Sequence, residues 1–163
     1  MPTEPIEERF EKEMRGCEDL IHKVCRVYSS DPHDRQDLFQ EILLQLWKGY
    51  GTFRGEAKIS TWVYRIAINT SLTHQRKNRS VVVLGEDMID VKLPVNTEAY
   101  EEHYAEMYRA ITHLNETEKA IVMLFLEDKS YEEMESILGI SQGALRVKMH
   151  RIKEKLRNIT KHL

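Results

Sequence analysis

This chain is poor in the residues that break helices, cross-link chains or cross membranes. Seven glycines and four prolines are spread over 163 residues, too few for a fold made of many turns. No apolar run approaches the ~18 residues that a spanning helix needs. The opening MPTEPIEERFEKE is acidic, without the basic start of a secretory leader. Membrane insertion and export are therefore not expected. Cysteine is scarce too: Cys17 and Cys25 fall on one predicted helix, separated by about 12 Å of rise at 1.5 Å per residue. That is too far for a disulfide, so both read as reduced core or boundary residues of a cytoplasmic protein. His22 between them completes no usual metal-ligand spacing. There is no phosphate-binding glycine loop, no zinc cluster and no nucleophile paired with a base. No metal, cofactor or small-molecule substrate is expected, and an enzyme reading has no residue to rest on.

What is present is helical sequence with uneven charge. Hydrophobic residues make up 41% of the chain, enough for a packed core. The net charge of −3 conceals strong local imbalance. Residues 54–79 hold six Lys/Arg and one acid, residues 81–110 hold two Lys/Arg and seven acids, and Ala144 to Leu163 hold seven Lys/Arg and one acid. Two basic patches thus flank an acidic middle, a pattern suited to nucleic acid met at two places.

Apolar periodicity divides the chain into helices. The first runs from about Pro5 to Tyr28 and carries Phe10, Met14, Leu20, Ile21, Val24 and Val27. Ser29 to His33 reads as a break punctuated by Pro32. The second helix, about Asp34 to Gly49, has an expected inward stripe of Phe39, Leu43, Leu46/Trp47 and Tyr50. A loop from Gly51 to Gly55 leads to a third helix, capped by Ser60 and ending near Asn78. Val81 to Leu84 could form a strand but has no sheet to join, so residues 80–99 read as a linker. A helix from Thr97 to Leu114 follows. Asn115 with Glu118, and Ser130 with Glu133, are capping boxes that open the next two helices. The fold class is all-α: two small helical domains, 5–79 and 100–163, joined by an acidic linker.

The last third is the most specific stretch. A short helix from Ser130 to Leu138, the Gly139-Ile-Ser141 turn and a helix from Gln142 onward read as a helix-turn-helix. Leu145, Met149, Ile152, Leu156 and Ile159 form one apolar face, and the rest of the helix is basic. Such a helix suits the DNA major groove, where phosphates attract cations and base edges offer acceptors. Glu135 stands where such motifs prefer a small residue, and is tolerated if its stem lies at a solvent edge.

Three stretches of the N-terminal half extend the argument: Asp37-Leu-Phe-Gln-Glu41 with Trp47, then Thr52-Phe-Arg-Gly55, then Ser60-Thr-Trp-Val-Tyr-Arg-Ile-Ala-Ile-Asn69. In this order they resemble the promoter-melting domain of bacterial RNA polymerase sigma factors, and the compact length points to the extracytoplasmic-function (ECF) group. Leu114-Asn-Glu-Thr-Glu118, Ser130-Tyr-Glu-Glu-Met134 and the Gly-Ile-Ser turn resemble that group's −35-binding domain. The resemblance covers about residues 10–79 and 100–160. It implies a cytoplasmic bacterial protein whose partners are core RNA polymerase, promoter DNA and an anti-sigma factor.

The residues divide into three candidate surfaces. Asp37, Gln40, Glu41, Leu44 and Lys48 share one face of the second helix, and an exposed Leu44 among polar neighbours suggests a protein interface. The resemblance implies that this face docks on core polymerase. On and before the third helix, Phe53, Trp62, Arg65, Asn69, Arg76, Lys77 and Arg79 are candidates for −10 DNA, while Val63, Ile66, Ala67 and Thr70 look inward. Trp62 by itself reads as core or as a DNA wedge. Asn suits a base edge because its amide both donates and accepts. The resemblance implies that Asn69 and the Phe53 loop hold a flipped −10 base, with the basic trio on phosphates. In the helix-turn-helix, Gln142, Arg146, Val147, His150 and Arg151 face outward for −35 bases, and Lys148 and Lys153 suit phosphates. A stand-alone helix-turn-helix regulator and a pure protein-interaction module are the competing readings. The polar face around Gln40 weighs against the first, and the intact basic residues of both patches against the second.

Overall fold

A computed structural model describes the backbone of residues 3–82 and 99–160, and the side chains of residues 3–77 and 105–160. The regular structure of the described residues is all α-helix: α1 (Ile6–Tyr28), α2 (Pro32–Tyr50), α3 (Ile59–Val82), α4 (Ala99–Thr112), α5 (Glu116–Leu126), α6 (Tyr131–Leu138) and α7 (Gln142–Thr160). They divide into two compact units, Met1–Val81 and Val82–Leu163. Most of the expected linker, with its candidate strand residues Val83 and Leu84 and the expected start at Thr97, lies outside the described residues. The side chain of Arg79 does as well.

In the first unit α1 packs on α2. The core between the helices is Met14, Ile21 and Val24 of α1, Leu38, Ile42 and Leu46 of α2, and Val63, Tyr64, Ala67 and Ile68 of α3, all buried. Two sequence expectations need correction here. Pro32 does not break the chain but begins α2: Asp31 is the N-cap, its carboxylate accepting from the His33 N–H at 3.1 Å. Proline suits the first helical turn because its missing N–H would have no intrahelical partner there. The inward stripe of α2 is also only partly the expected one: Leu46 and Tyr50 are buried as expected, but Leu38 and Ile42 take the places of Phe39 and Leu43. Leu38, Ile42, Leu46 and Tyr50 are buried, Phe39 and Leu43 are half-buried, and Trp47 is 40% exposed. The apolar arc of α2 is wide enough to be read in either phase, because α1 lies along one side of it. Phe39 stacks on His22 with centroids 4.4 Å apart, and Trp47 meets Phe10 edge-on at 5.1 Å.

The third helix is also longer than expected. Ser60 is not its cap but its second residue. The Trp62 N–H bonds to the Lys58 carbonyl, and the helix runs through Val81 and Val82, two of the candidate strand residues. Ile66, expected inside, is half-buried, and Tyr64 and Ile68 join the core.

In the second unit α7 packs against α4, α5 and α6. Its inner face is Leu145, Met149 and Ile152, buried against Ile121, Leu124 and Met134 of the same core. Leu156 and Ile159 are half-buried. The expected box at Asn115 is complete: Asn115 Oδ1 accepts from the Glu118 N–H at 2.8 Å, and Glu118 Oε1 accepts from the Asn115 N–H at 3.1 Å. The box at Ser130 is half-made. Its hydroxyl accepts from the Glu133 N–H, but the Glu133 carboxylate turns to Lys129, 3.8 Å away. Gly139 ends α6 at φ +71° with its N–H on the Glu135 carbonyl, a left-handed conformation that any side chain would strain. Glu135 itself is exposed, which is how this position accepts a charge.

Candidate nucleic-acid interface

The outward face of α2 is built by the phase of its core. With Leu38, Ile42 and Leu46 inward, Asp37, Gln40, Leu44 and Lys48 must point away, and all four are exposed. Leu44 is 49% exposed and, three residues before the 40% exposed Trp47 on the same helix, neighbours it on the surface. Together they give this polar face an apolar centre. Trp47 was missed as a surface residue because its spacing also fits an inward stripe. Glu41 stands at the edge of the face and turns toward α3, where its carboxylate meets His74 at 3.2 Å and Lys77 at 3.8 Å.

The start of α3 meets the end of α2 through aromatic rings. Trp62 lies 4.9 Å from Phe53 and 6.2 Å from Tyr50, centroid to centroid. Gly49 makes room for it: a Cβ there would stand 3.3 Å from the Trp62 ring. Trp62 is thus half-buried and packs on the Phe53 ring, which places it between the two roles that its sequence left open. Arg65 is half-buried one turn on. Asn69 is exposed and opens into a groove between α2 and α3, lined by Glu41, Gln45, Ile66, Thr70, Thr73 and Lys77. Phe53 and Asn69 are not brought together. Asn69 follows Trp62 by two helical turns, roughly 10 Å along the axis, so the aromatic cluster and the amide mark two ends of one surface. Arg76 and Lys77 are exposed, Lys77 at the edge of the groove.

His74 was not singled out in the sequence, and it joins these parts. Its Nε2 is 2.7 Å from Asp34 Oδ1 and its Nδ1 is 3.2 Å from Glu41 Oε2. Burial pulls the imidazole's pKa down, but hydrogen bonds and charge from Asp34 and Glu41 outweigh it, and the net direction is up from 6.5.

The second unit presents the turn and the outer side of α7. The Ser141 hydroxyl accepts from the Ala144 N–H at 3.3 Å and caps the helix. Arg146, Val147, Lys148, His150, Arg151 and Lys153 are all exposed, and Gln142 is half-buried. Two cations are held over rings: Arg146 at 5.1 Å from the Tyr131 centroid and Lys153 at 4.9 Å from that of Phe125. His150 is not isolated, since its Nε2 stands 3.4 Å from the Glu154 carboxylate. Lys155 reaches Glu118 at 2.9 Å and ties α7 to the start of α5.

Comparison with known proteins finds one family match in each unit. Residues 14–81 match the family model Sigma-70 region 2, and residues 104–156 match Sigma-70, region 4. The chain is 32% identical over 140 residues to the ECF RNA polymerase sigma-E factor of Haemophilus influenzae, covering 77% of this chain and 74% of that one. It belongs to the ECF RNA polymerase sigma factors. A further relative, the RNA polymerase sigma-H factor of Pseudomonas aeruginosa, is 27% identical and covers 90% of this chain and 88% of its own. Among solved structures, the sigma factor RpoE in complex with the anti-sigma factor NepR, from Bartonella quintana, shares the fold. Its TM-score is 0.81 at 18% identity, over 94% of this chain and 98% of that one. As an ECF sigma factor, the protein binds core RNA polymerase and directs it to promoters. No described helix is long and apolar enough to cross a membrane.

Proposed function

We propose that the three surfaces divide this work. Asp37, Gln40, Leu44 and Lys48, with Trp47 beside them and Glu41 at their edge, form the dock for core polymerase. Phe53, Trp62, Arg65, Asn69, Arg76, Lys77 and Arg79 take the opened −10 strand. Gln142, Arg146, Val147, His150 and Arg151 read the −35 element while Lys148 and Lys153 hold its phosphates. The domain boundaries that go with this reading are 5–79 and 100–163, with 80–99 as the acidic linker.

The observation that carries the proposal is the groove between α2 and α3. An exposed Asn69 amide and the Lys77 cation share it, and an aromatic cluster lies two turns away. Flipping a base costs a few kcal/mol. Stacking, amide hydrogen bonds and phosphate pairing are the interactions that repay such a cost. A stand-alone regulator has no use for this surface. The chain makes and breaks no bond in this scheme, since polymerase performs the chemistry, and it acts in a bacterial cytoplasm. An anti-sigma factor covering the DNA-binding faces is part of the proposal, supported by the fold shared with an anti-sigma-bound protein.

The test is transcription from a library of random promoters by purified core polymerase, with and without the protein. Protein-dependent transcripts with paired −35 and −10 motifs are expected. Binding to duplex DNA without transcripts would instead favour the stand-alone regulator. Pull-downs from cells that recover polymerase but never an inhibitor would count against the anti-sigma part.

A further inference from the structure

The contacts of His74 cannot all be made by a neutral ring. A neutral imidazole has one N–H and one lone pair. Here both ring nitrogens face carboxylate oxygens, Asp34 at 2.7 Å and Glu41 at 3.2 Å. A lone pair aimed at an ionised carboxylate would be repelled, so with Asp34 and Glu41 both ionised the doubly protonated imidazolium is the form that satisfies the site. The side chain is 12% exposed, and charge-assisted hydrogen bonds are strong where water is largely shut out.

The clip extends beyond these three residues. The second oxygen of Asp34 accepts from the hydroxyl of buried Ser29, whose carbonyl accepts from Arg35 Nε at 3.0 Å. The next residue of α3, Gln75, donates to the Tyr28 carbonyl at the end of α1, 2.7 Å away. Consecutive residues of α3 are therefore fastened to α2 and to α1. The charged groups at the ring include Asp34 and Glu41 of α2, with Lys77 of α3 facing Glu41; Arg35 of α2 and the Cys25 thiol of α1 stand near Asp34. Burial, with the charges of Arg35 and Asp34 acting in opposite senses, leaves that thiol protonated, its pKa raised to about 12.

We infer that His74 is a positioning residue: as an imidazolium gripped by Asp34 and Glu41, it fixes α3 against α2 and so sets the groove into which Asn69 opens. This rests on the −10 reading proposed above. Losing the ring proton unclips Asp34 or Glu41 and so loosens one wall of the groove. Promoter opening by this sigma factor should therefore weaken as pH rises past the ordinary histidine range. The sign follows from a folded pKa that is raised: the contribution is complete at low pH and is lost as pH climbs through the raised value.

The test uses the full chain with core polymerase and follows promoter opening by 2-aminopurine fluorescence in the −10 element between about pH 6 and 8.5. Histidine titration by NMR on the free chain runs beside it. His74 should titrate above the ordinary range. Opening should fall about tenfold as it deprotonates, the loss expected for a charge-assisted hydrogen bond. His74→Gln should open poorly at every pH, Asp34→Asn should move the midpoint to lower pH, and exposed His113→Gln should leave the profile alone. Core binding should change less than twofold in each. A His74 that titrates at or below the ordinary range overturns the inference, as does a flat wild-type profile; neither needs a variant to fold. Wild type that opens no promoter at any pH overturns the −10 reading and this inference together, whereas a flat profile with active wild type overturns this inference alone.

Discussion

Glu118 offers the sharpest test of how the second unit holds its DNA-reading helix. One carboxylate oxygen, Oε1, accepts both from the Asn115 N–H at 3.1 Å and from Lys155 Nζ at 2.9 Å. The first contact closes the capping box of α5, and the second ties α5 to α7. Glu118→Ala removes both and leaves Asn115 with its own cap to the Glu118 N–H. Loss of a capping contact costs about 1 kcal/mol. The ion pair adds at most about 1 kcal/mol, and less than that because the Lys155 side chain is 54% exposed. The sum is about 1–2 kcal/mol, or roughly 4–16 °C in the melting of a unit this size. Lys155→Ala loses only the exposed pair and should cost about 0.5 kcal/mol. Asn115→Ala breaks the same box from the other side, so with Glu118→Ala it should cost less than the two single changes added. The assay is thermal unfolding of the full chain by circular dichroism, fitting the less stable and more stable transitions separately. If Glu118→Ala and Lys155→Ala melt together, the box contributes nothing and the argument fails.

Leu44→Asp should weaken core polymerase binding about tenfold or more while changing stability by less than about 0.5 kcal/mol; equal melting with equal binding by calorimetry would remove Leu44 from the dock. Arg146→Ala should relax preference at one −35 position by about 1–3 kcal/mol, whereas Lys148→Ala should lower affinity evenly and reduce the salt slope by about 1. Binding titrations on promoter variants at several salt concentrations separate the two, and identical behaviour of both variants would refute the division between base and phosphate contacts. Gly139→Ala should cost about 1–2 kcal/mol by forcing a Cβ into the left-handed region, measured by urea unfolding. Burial raises the pKa of both thiols, with the Glu13 charge adding at Cys17, and both cysteines are buried. Neither should react with iodoacetamide at pH 8 until the first unit unfolds, and rapid labelling of the folded chain would contradict their placement.

The features legible in the sequence were those set by neighbours a few residues apart. The Asn115–Glu118 box spans one turn, and the inner face of α7 repeats within one helix, so both could be read directly. The start of α2 could not be, because Pro32 signals a break or a first helical turn equally well. Only the Asp31 cap decides between them. Leu46 and Tyr50 of the α2 stripe are legible, but its first half falls one residue from the expected one, because Leu38 and Ile42 and the pair Phe39 and Leu43 are both apolar at helical spacing. Which set is innermost depends on where α1 and α3 lie. Ser60 resembled a cap, yet the helix begins one residue before it. Among the site residues, the outward group on α7 follows from its apolar face alone. His74 was illegible for a simple reason: its partners stand 40 and 33 residues away in the chain, and no local pattern distinguishes it from a solvated histidine.

The three-sided use of α2 explains why these misreadings cluster there. One side lies on α1 through Phe39 and Trp47. A second faces α3 through Asp34 and Glu41. The third carries Asp37, Gln40, Leu44 and Lys48 outward. A helix that packs twice and docks once has no idle side, so its apolar arc is broad and its phase ambiguous. The same geometry separates residues that sequence reasoning grouped together. Gln40 and Glu41 are adjacent, but one points out and the other is tied to His74 and Lys77. Substituting both at once would mix loss of docking with loosening of the α2–α3 groove, whereas changing Gln40 or Leu44 alone acts on the outer face. If Glu41→Gln lowers the melting temperature of the first unit and the pKa of His74 while Gln40→Ala changes neither, the two functions of this helix are separable by side. If both variants behave alike, the assignment of sides is wrong.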